Sequence, residues 1–284
     1  MRRGLNCLLV VALLATGGCG FGTRLAYNHL DWFAFDRLDD YVDLGREQQR
    51  ALRPVFDHWW RWHRRHQLAE YADFLRELAA GLEAGWTRAD LAAAIARVDA
   101  YYETAVAELQ PFAADFLAAL DEEQVAELLA SLDERADEFA RESVDIDAEQ
   151  RRQRAVERTR DSLGKRLGRL SDEQVERIRQ WSHEREDLNE QWLRSRRAWR
   201  DDLAEALATR TEPGFGQRIR PLFVNTAERW PPAHRAAAQR NLDRWIDLVD
   251  EVLRMRSSAQ HQRLMNQLLD LAADAERLSC QPHD

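Results

Sequence analysis

Beyond residue 20, apolar residues recur at spacings of three and four along nearly the whole chain, the period of helices buried on one side. Between Thr23 and Val42, the residues Tyr27, Leu30, Ala34, Leu38 and Tyr41 share a stripe and predict a first packing helix. A second, from about Arg46 to Ala80, carries Leu52, Val55, Trp59, Trp62, His66, Ala69, Ala72 and Leu75; Pro54 bends its start, and Gly81 and Gly85 end it. Thr87-Arg88-Ala89-Asp90 is a capping box that opens a third helix, with Leu91, Ile95, Val98, Tyr102 and Leu109 on one face. Pro111 interrupts that helix, and Phe112, Phe116 and Leu120 continue it after a kink.

The region from Glu122 to Leu170 is more charged, with Val125, Leu128, Leu132 and Phe139 on its apolar side and a break near Asp145 to Asp147. From Gln150 to Arg160 the stripe thins to Ala155, Val156 and, beyond it, Leu163, which predicts a helix that protrudes on charge pairs rather than sitting in a core. From Asp172 to about Ala208 the stripe returns as Val175, Ile178, Trp181, Leu188, Trp192, Trp199, Leu203 and Leu207. A single helix there would be about 55 Å long at 1.5 Å per residue. Glu212-Pro213-Gly214 breaks the chain, and a short segment follows around Ile219, Leu222 and Phe223. Trp230-Pro231-Pro232 opens a final pair of helices lined by Leu242, Trp245, Val249 and Leu253, and by Leu264, Leu268, Leu271 and Leu278. The expected fold is all-α, one elongated bundle of long, kinked amphipathic helices over residues 19–284, with a polar tail from about 279.

Composition agrees. The 284 residues include 12 Gly and 7 Pro, too few for a fold of short strands and turns. The net charge of −9 argues against nucleic acid as a partner, because phosphate neutralisation needs a basic face. Lys165 is the sole lysine, which reads as base-composition bias rather than as a site.

The first 18 residues read as a signal peptide. Met1-Arg2-Arg3 is a positive start, and the apolar run from Leu5 to Ala15 is shorter than the roughly 20 residues of a membrane span. Leu14-Ala15-Thr16-Gly17-Gly18-Cys19 resembles a bacterial lipobox, with Thr16 where Leu is more usual; cleavage as a plain secreted protein is the alternative. The resemblance implies acylation of Cys19, hence anchoring to a membrane, since each buried CH₂ contributes about 0.8 kcal/mol. Gly20 after the cysteine implies the inner leaflet of the outer membrane, facing the periplasm. With Cys7 removed and Cys19 acylated, Cys280 has no internal partner.

Three five-residue openers share one shape: Leu44-Gly45-Arg46-Glu47-Gln48, Leu120-Asp121-Glu122-Glu123-Gln124 and Leu170-Ser171-Asp172-Glu173-Gln174. Each suits a helix start, with a capping residue, acids facing the helix dipole and a glutamine returning a hydrogen bond. They also resemble the Leu-Thr-x-x-Gln motif of periplasmic stress proteins of the Spy and CpxP kind, which are shorter and carry no lipid. Cys19 followed by Leu25-Ala26-Tyr27-Asn28, Leu30-Asp31-Trp32 and Leu38-Asp39-Asp40-Tyr41-Val42-Asp43-Leu44 is similar to the start of an uncharacterised family of proteobacterial lipoproteins. That resemblance implies a lipoprotein and helices, and no chemistry.

Candidate chemistry is sparse. Asp36, Asp39, Asp40 and Asp43 crowd one side of the first helix and call for counter-charge, which the run His58 to His66 offers if the two helices lie antiparallel. Trp59, Trp60, Arg61 and Trp62, with Asp39, Asp40 and Asp43, form a candidate surface for a glycan or a partner, against the alternative that the aromatics are core. His63, His66 and Glu70 share a helix face in regular α-geometry and are weak candidates for zinc. No hydrolase, nucleotide-binding or redox motif is present, so no cofactor is expected. The expected function is a non-catalytic envelope lipoprotein that binds a protein or an envelope polymer; the alternatives are a chaperone-like stress protein and a metal-dependent hydrolase.

Overall fold

The structure, a computed structural model, describes residues 37–280, so Asp36, Cys19 and most of the expected first helix lie outside the described residues. The described residues form ten α-helices and no strand. In chain order these are α1 (Arg46–Trp62), α2 (Leu68–Ala84), α3 (Arg88–Ala118), α4 (Glu122–Phe139), α5 (Ala148–Leu167), α6 (Asp172–Glu184), α7 (Asn189–Leu207), α8 (Phe215–Phe223), α9 (Pro232–Arg254) and α10 (Ser258–Cys280). The all-α architecture is as the periodicity predicts.

The long α3 is the organising element. Its second half packs on α1 and α8 and its first half on α9, while α2 pairs along its length with α10. One core joins α1, α2, the end of α3, α4, α7 and α8; a second, around Leu91, Ile178, Trp181, Ile246 and Val252, joins the start of α3 with α5, α6 and α9. Pro111 does not break α3, which runs through it. The cost of an interior proline, about 3 kcal/mol, is offset by burial of Ala105, Gln110, Ala114, Phe116 and Leu117 around it. Nor does α5 protrude: Ala155, Thr159, Leu163 and Leu167 are buried against α6 and α10. Four buried positions at helical spacing suffice to seat a helix whose other faces are charged.

The expected long helix over 172–208 is two. The chain leaves helical geometry at Arg185, because Asn241 of α9 brackets the main chain of Glu186. Its side-chain oxygen accepts the Glu186 N–H at 2.8 Å, and its side-chain nitrogen donates to the Glu186 carbonyl at 2.9 Å. These tertiary bonds replace the helical ones residue 186 would have made.

The second predicted helix is also divided. Five residues, His63–Gln67, form a π-turn between α1 and α2, and Gly81 lies inside α2 while Gly85, at φ 88°, ends it. The extra residue rotates the buried face. Phe56, Trp60, His63, Gln67 and Tyr71 point inward, whereas Val55, His66 and Ala69 are exposed.

All three openers start helices, at Gly45, Asp121 and Ser171. They interlock in a way the sequence does not display. Gln48 and Gln124 form a reciprocal amide pair at 2.8 Å, and Gln124 also donates to the Asp43 carbonyl while Gln48 donates to that of Ala119, at the end of α3. A second pair joins Gln174 to Gln260 at 3.0 to 3.1 Å, with Gln174 donating to Val252 near the end of α9 and Gln260 to Arg169. Gln260 belongs to a fourth opener, Ser257 to Gln260, capped reciprocally like the others; Arg256 stands where the other three have Leu, which hid it. Each clasp ties one helix start to another and supplies a donor to a helix end that has spare carbonyls.

Candidate functional site

The residues singled out for chemistry are mostly structural. Trp59 and Trp60 are buried in the first core, and the Trp59 indole N–H donates to the Ala105 carbonyl at 3.0 Å. Arg61 and Trp62 are half-buried, and Trp62 stacks on His66. The aromatic run is therefore packing rather than a binding surface. Among the described residues, the partners of Asp40 and Asp43 lie on their own segment and on α4. Asp40 meets Arg37 and, at 3.7 Å, Arg135 of α4, whose guanidinium also lies 4.1 Å from the centre of the Tyr41 ring. Asp43 offers its backbone N–H to Glu127 at 3.0 Å, and Asp39 stays exposed. Val42 and Leu44 are buried in the first core, which α1 and α4 both line.

The His63, His66 and Glu70 trio does not converge, because the π-turn falls within it. His63 is buried between Trp59, Trp60 and Tyr71, while His66 and Glu70 are exposed. Burial, and then the nearby Arg64 charge, lower the His63 pKa to about 4, so the ring is neutral at pH 7. No group of three His, Cys, Asp or Glu side chains able to hold a metal ion occurs among the described residues.

The structure assembles a different site, a groove of about 830 Å³ between α7 and the start of α9. Helix α7 buries Leu193, Leu203 and Leu207, and its Arg197 and Arg200 reach Asp137 and Asp133 of α4 at 2.9 and 2.7 Å. That fixes its rotation. Gln191, Arg194, Ser195, Ala198, Trp199 and Asp202, one helical face by their spacing, then line the groove. The opposite wall is Trp230, Ala233, His234, Ala237 and Arg240, held where Pro231 and Pro232 start α9 and Trp230 stacks on His234 with ring centres 4.7 Å apart. Ion pairs bridge the two ends: Arg240 to Glu186 at 2.6 and 2.8 Å, and Arg229 to Asp202. Hydrogen bonds from Arg240, helped by Arg244, push the Glu186 pKa down to about 2.

At the floor, Ser195 Oγ lies 3.2 Å from His234 Nδ1. This is not an activated nucleophile. His234 Nε2 is buried without a hydrogen-bond partner among the described residues, so no acid orients the ring. Burial, followed by the Arg194 charge, lowers the His234 pKa and keeps it neutral. With nothing on Nε2 to orient it, the ring is not set up as a general base for the Ser195 hydroxyl, whichever nitrogen carries the proton. Sequence reasoning missed this site because the polar and small face of α7 looks like any solvated face; only its apposition to residues 230–240 makes a groove.

A second opening, of about 240 Å³, lies between α2, α3, α9 and α10. It is lined almost wholly by apolar side chains, among them Phe74, Leu78, Ile95, Trp245, Val249 and Leu271, with buried Asp274 at its edge.

One protein-family profile, a family of unknown function (DUF6279), matches residues 40–235, more than half of the chain. No curated protein and no solved structure matches it. The matched span holds the α7 wall and the first turn of the α9 wall.

Proposed function

The chain belongs to this family of unknown function, which brings no reaction with it, and from that premise we propose a non-catalytic binding protein of the bacterial envelope, anchored by lipid on Cys19 and recognising its partner through the α7–α9 groove. The observation that carries this reading is the division of hydrogen-bonding groups in the groove. Its acids are already engaged by arginines: Glu186 by Arg240 and Arg244, Asp202 by Arg229, and Asp187 by Arg151. Its Gln191, Ser195 and Thr226 side chains and the Arg194 guanidinium retain donors facing an open, partly apolar space. Such a set fits recognition; with an unoriented His234 beside Ser195, it does not fit acyl transfer.

The lipid anchor rests on the lipobox-like run ending at Cys19 and on the positive, short apolar leader before it. No helix among the described residues is long and apolar enough to cross a membrane, so attachment through lipid is the form of membrane contact we carry.

The interlocked glutamine openers support a second reading, a chaperone-like stress protein. That role calls for a broad exposed apolar face, and among the described residues the exposed large apolar side chains are Val55 and Leu269. For that reason the groove reading stands first. Its test is a crosslinked pull-down from the native envelope with the wild-type chain and with Ala198→Trp, an exposed position lining the groove. Loss of one specific envelope partner in the filled variant is expected; an unchanged partner profile would refute the groove.

A further inference from the structure

We propose that the α7–α9 groove captures the C-terminal carboxylate of an extended peptide, with Arg194 and Ser195 holding the carboxylate and the space over Ala198, Ala233 and Ala237 taking the side chain before it. The inference deepens the binding reading above and rests on it.

Charge complementarity is the first argument. With Glu186, Asp187 and Asp202 each held by an arginine, the positive group of the groove left for a ligand is the Arg194 guanidinium, with the Gln191, Ser195 and Thr226 side chains able to donate beside it. Among the described residues, Arg194 has one acidic contact, Glu190 at 3.4 Å, between side chains that are 66% and 71% exposed. Such a surface pair is readily exchanged, and the guanidinium fork suits a carboxylate. The Arg194 charge is felt at the floor, where it helps keep His234 neutral, and the Ser195 hydroxyl lies at that floor, 3.2 Å from His234 Nδ1.

The remaining arguments choose among acceptor-bearing ligands. Arg240–Glu186 and Arg229–Asp202 cross between the walls at opposite ends of the groove. A chain running through would have to pass over both pairs, whereas a chain end can enter between them. Gln191 and Asp202 are about 16 Å apart along α7, room for about four or five extended residues at about 3.3 Å each. A sugar polymer needs open aromatic faces. Trp230 is buried against His234 and Trp192, which leaves half-buried Trp199 as the one open aromatic surface of the groove among the described residues. A phosphate dianion would meet three neighbouring carboxylates with twice the charge of a peptide terminus.

The full-length protein in detergent micelles is titrated with N-acetyl tetrapeptides whose last residue is Ala, Leu or Phe, each as the free acid and as the C-terminal amide. Inorganic phosphate alone is a further titrant. Binding is read by calorimetry and by tryptophan fluorescence. The free acids are expected to bind at least tenfold more tightly than the amides. Arg194→Gln is expected to erase that difference and Arg194→Lys to keep part of it; Arg194 is exposed, and circular dichroism checks that both variants are folded. Equal binding of acid and amide, no binding of either, or tighter Arg194-dependent binding of phosphate would overturn the carboxylate assignment. If any of these occurs while Ala198→Trp still removes the envelope partner, the groove reading survives and this inference alone falls. If Ala198→Trp leaves the partner in place, both fall.

Discussion

Replacing Gln174 by alanine tests whether the glutamine clasps are structural joints. Gln174 has 0% exposure. Its side-chain oxygen accepts the Ser171 N–H at 3.0 Å and the Gln260 amide at 3.0 Å, and its nitrogen donates to Val252 at 3.2 Å and to Gln260 at 3.1 Å. The truncation strands three groups: the Val252 carbonyl near the end of α9, the Ser171 N–H and half of the Gln260 amide. A buried polar group left without a partner costs about 1–3 kcal/mol. Gln260 keeps its bonds to the Ser257 N–H and the Arg169 carbonyl, so the total falls below a simple sum, at about 3–5 kcal/mol by the same per-group cost. Gln48 makes the matching bonds at the other clasp, but two of its contacts lie at the exposed edge, where water replaces the lost partner. Gln48→Ala should therefore cost only about 1 kcal/mol. The assay is urea denaturation followed by far-ultraviolet circular dichroism, with the slope checked so that midpoint shifts report stability. Against a total of about 5–15 kcal/mol for a folded domain, the contrast between the two variants is measurable. A Gln174→Ala midpoint no lower than that of Gln48→Ala would refute the reasoning.

Acid sensitivity is expected from His63. Its folded pKa of about 4 lies below the ordinary 6.5, so the unfolded chain takes up this proton first and stability is full above pH 6.5 and falls as the pH drops toward 4. One pKa unit corresponds to about 1.4 kcal/mol, which makes the loss about 3 kcal/mol at the lower end. Urea midpoints of the wild type and His63→Gln across that range check it, and an unchanged slope in the variant would exclude His63 as the source. Cys19→Ser should release the protein from membranes into the soluble fraction on envelope fractionation; retention there would mean that something other than lipid on Cys19 holds it.

Local and periodic features were legible in the sequence. The apolar spacing gave the helices from Glu122 onward their approximate places, Thr87 and Asp90 closed the capping box as read, and three glutamine openers were placed correctly as helix starts. These rest on neighbours within one turn, so the order of residues is enough to specify them. What failed involved partners far along the chain. Pro111 looked like an interruption until α1 and α8 packed around it, and Arg185 looked helical until Asn241 took both main-chain groups of Glu186, 55 residues before it in the chain. The π-turn at His63–Gln67 split an apparent metal trio, burying His63 while His66 and Glu70 stay exposed, and packing against α3 took Trp59 into the core. The groove belongs to the same class: Ser195 and His234 are ordinary residues on two polar helix faces, and only the packing of α7 on α4 and the proline start of α9 bring those faces together. The sequence by itself determined which stretches are helical and which face of most of them is apolar, because both depend on local propensity and hydrophobic period. Where helices end, how the interlocked glutamines pair and where a ligand could sit were decided by tertiary structure, because those features depend on hydrogen bonds and ion pairs between residues that chain order does not relate.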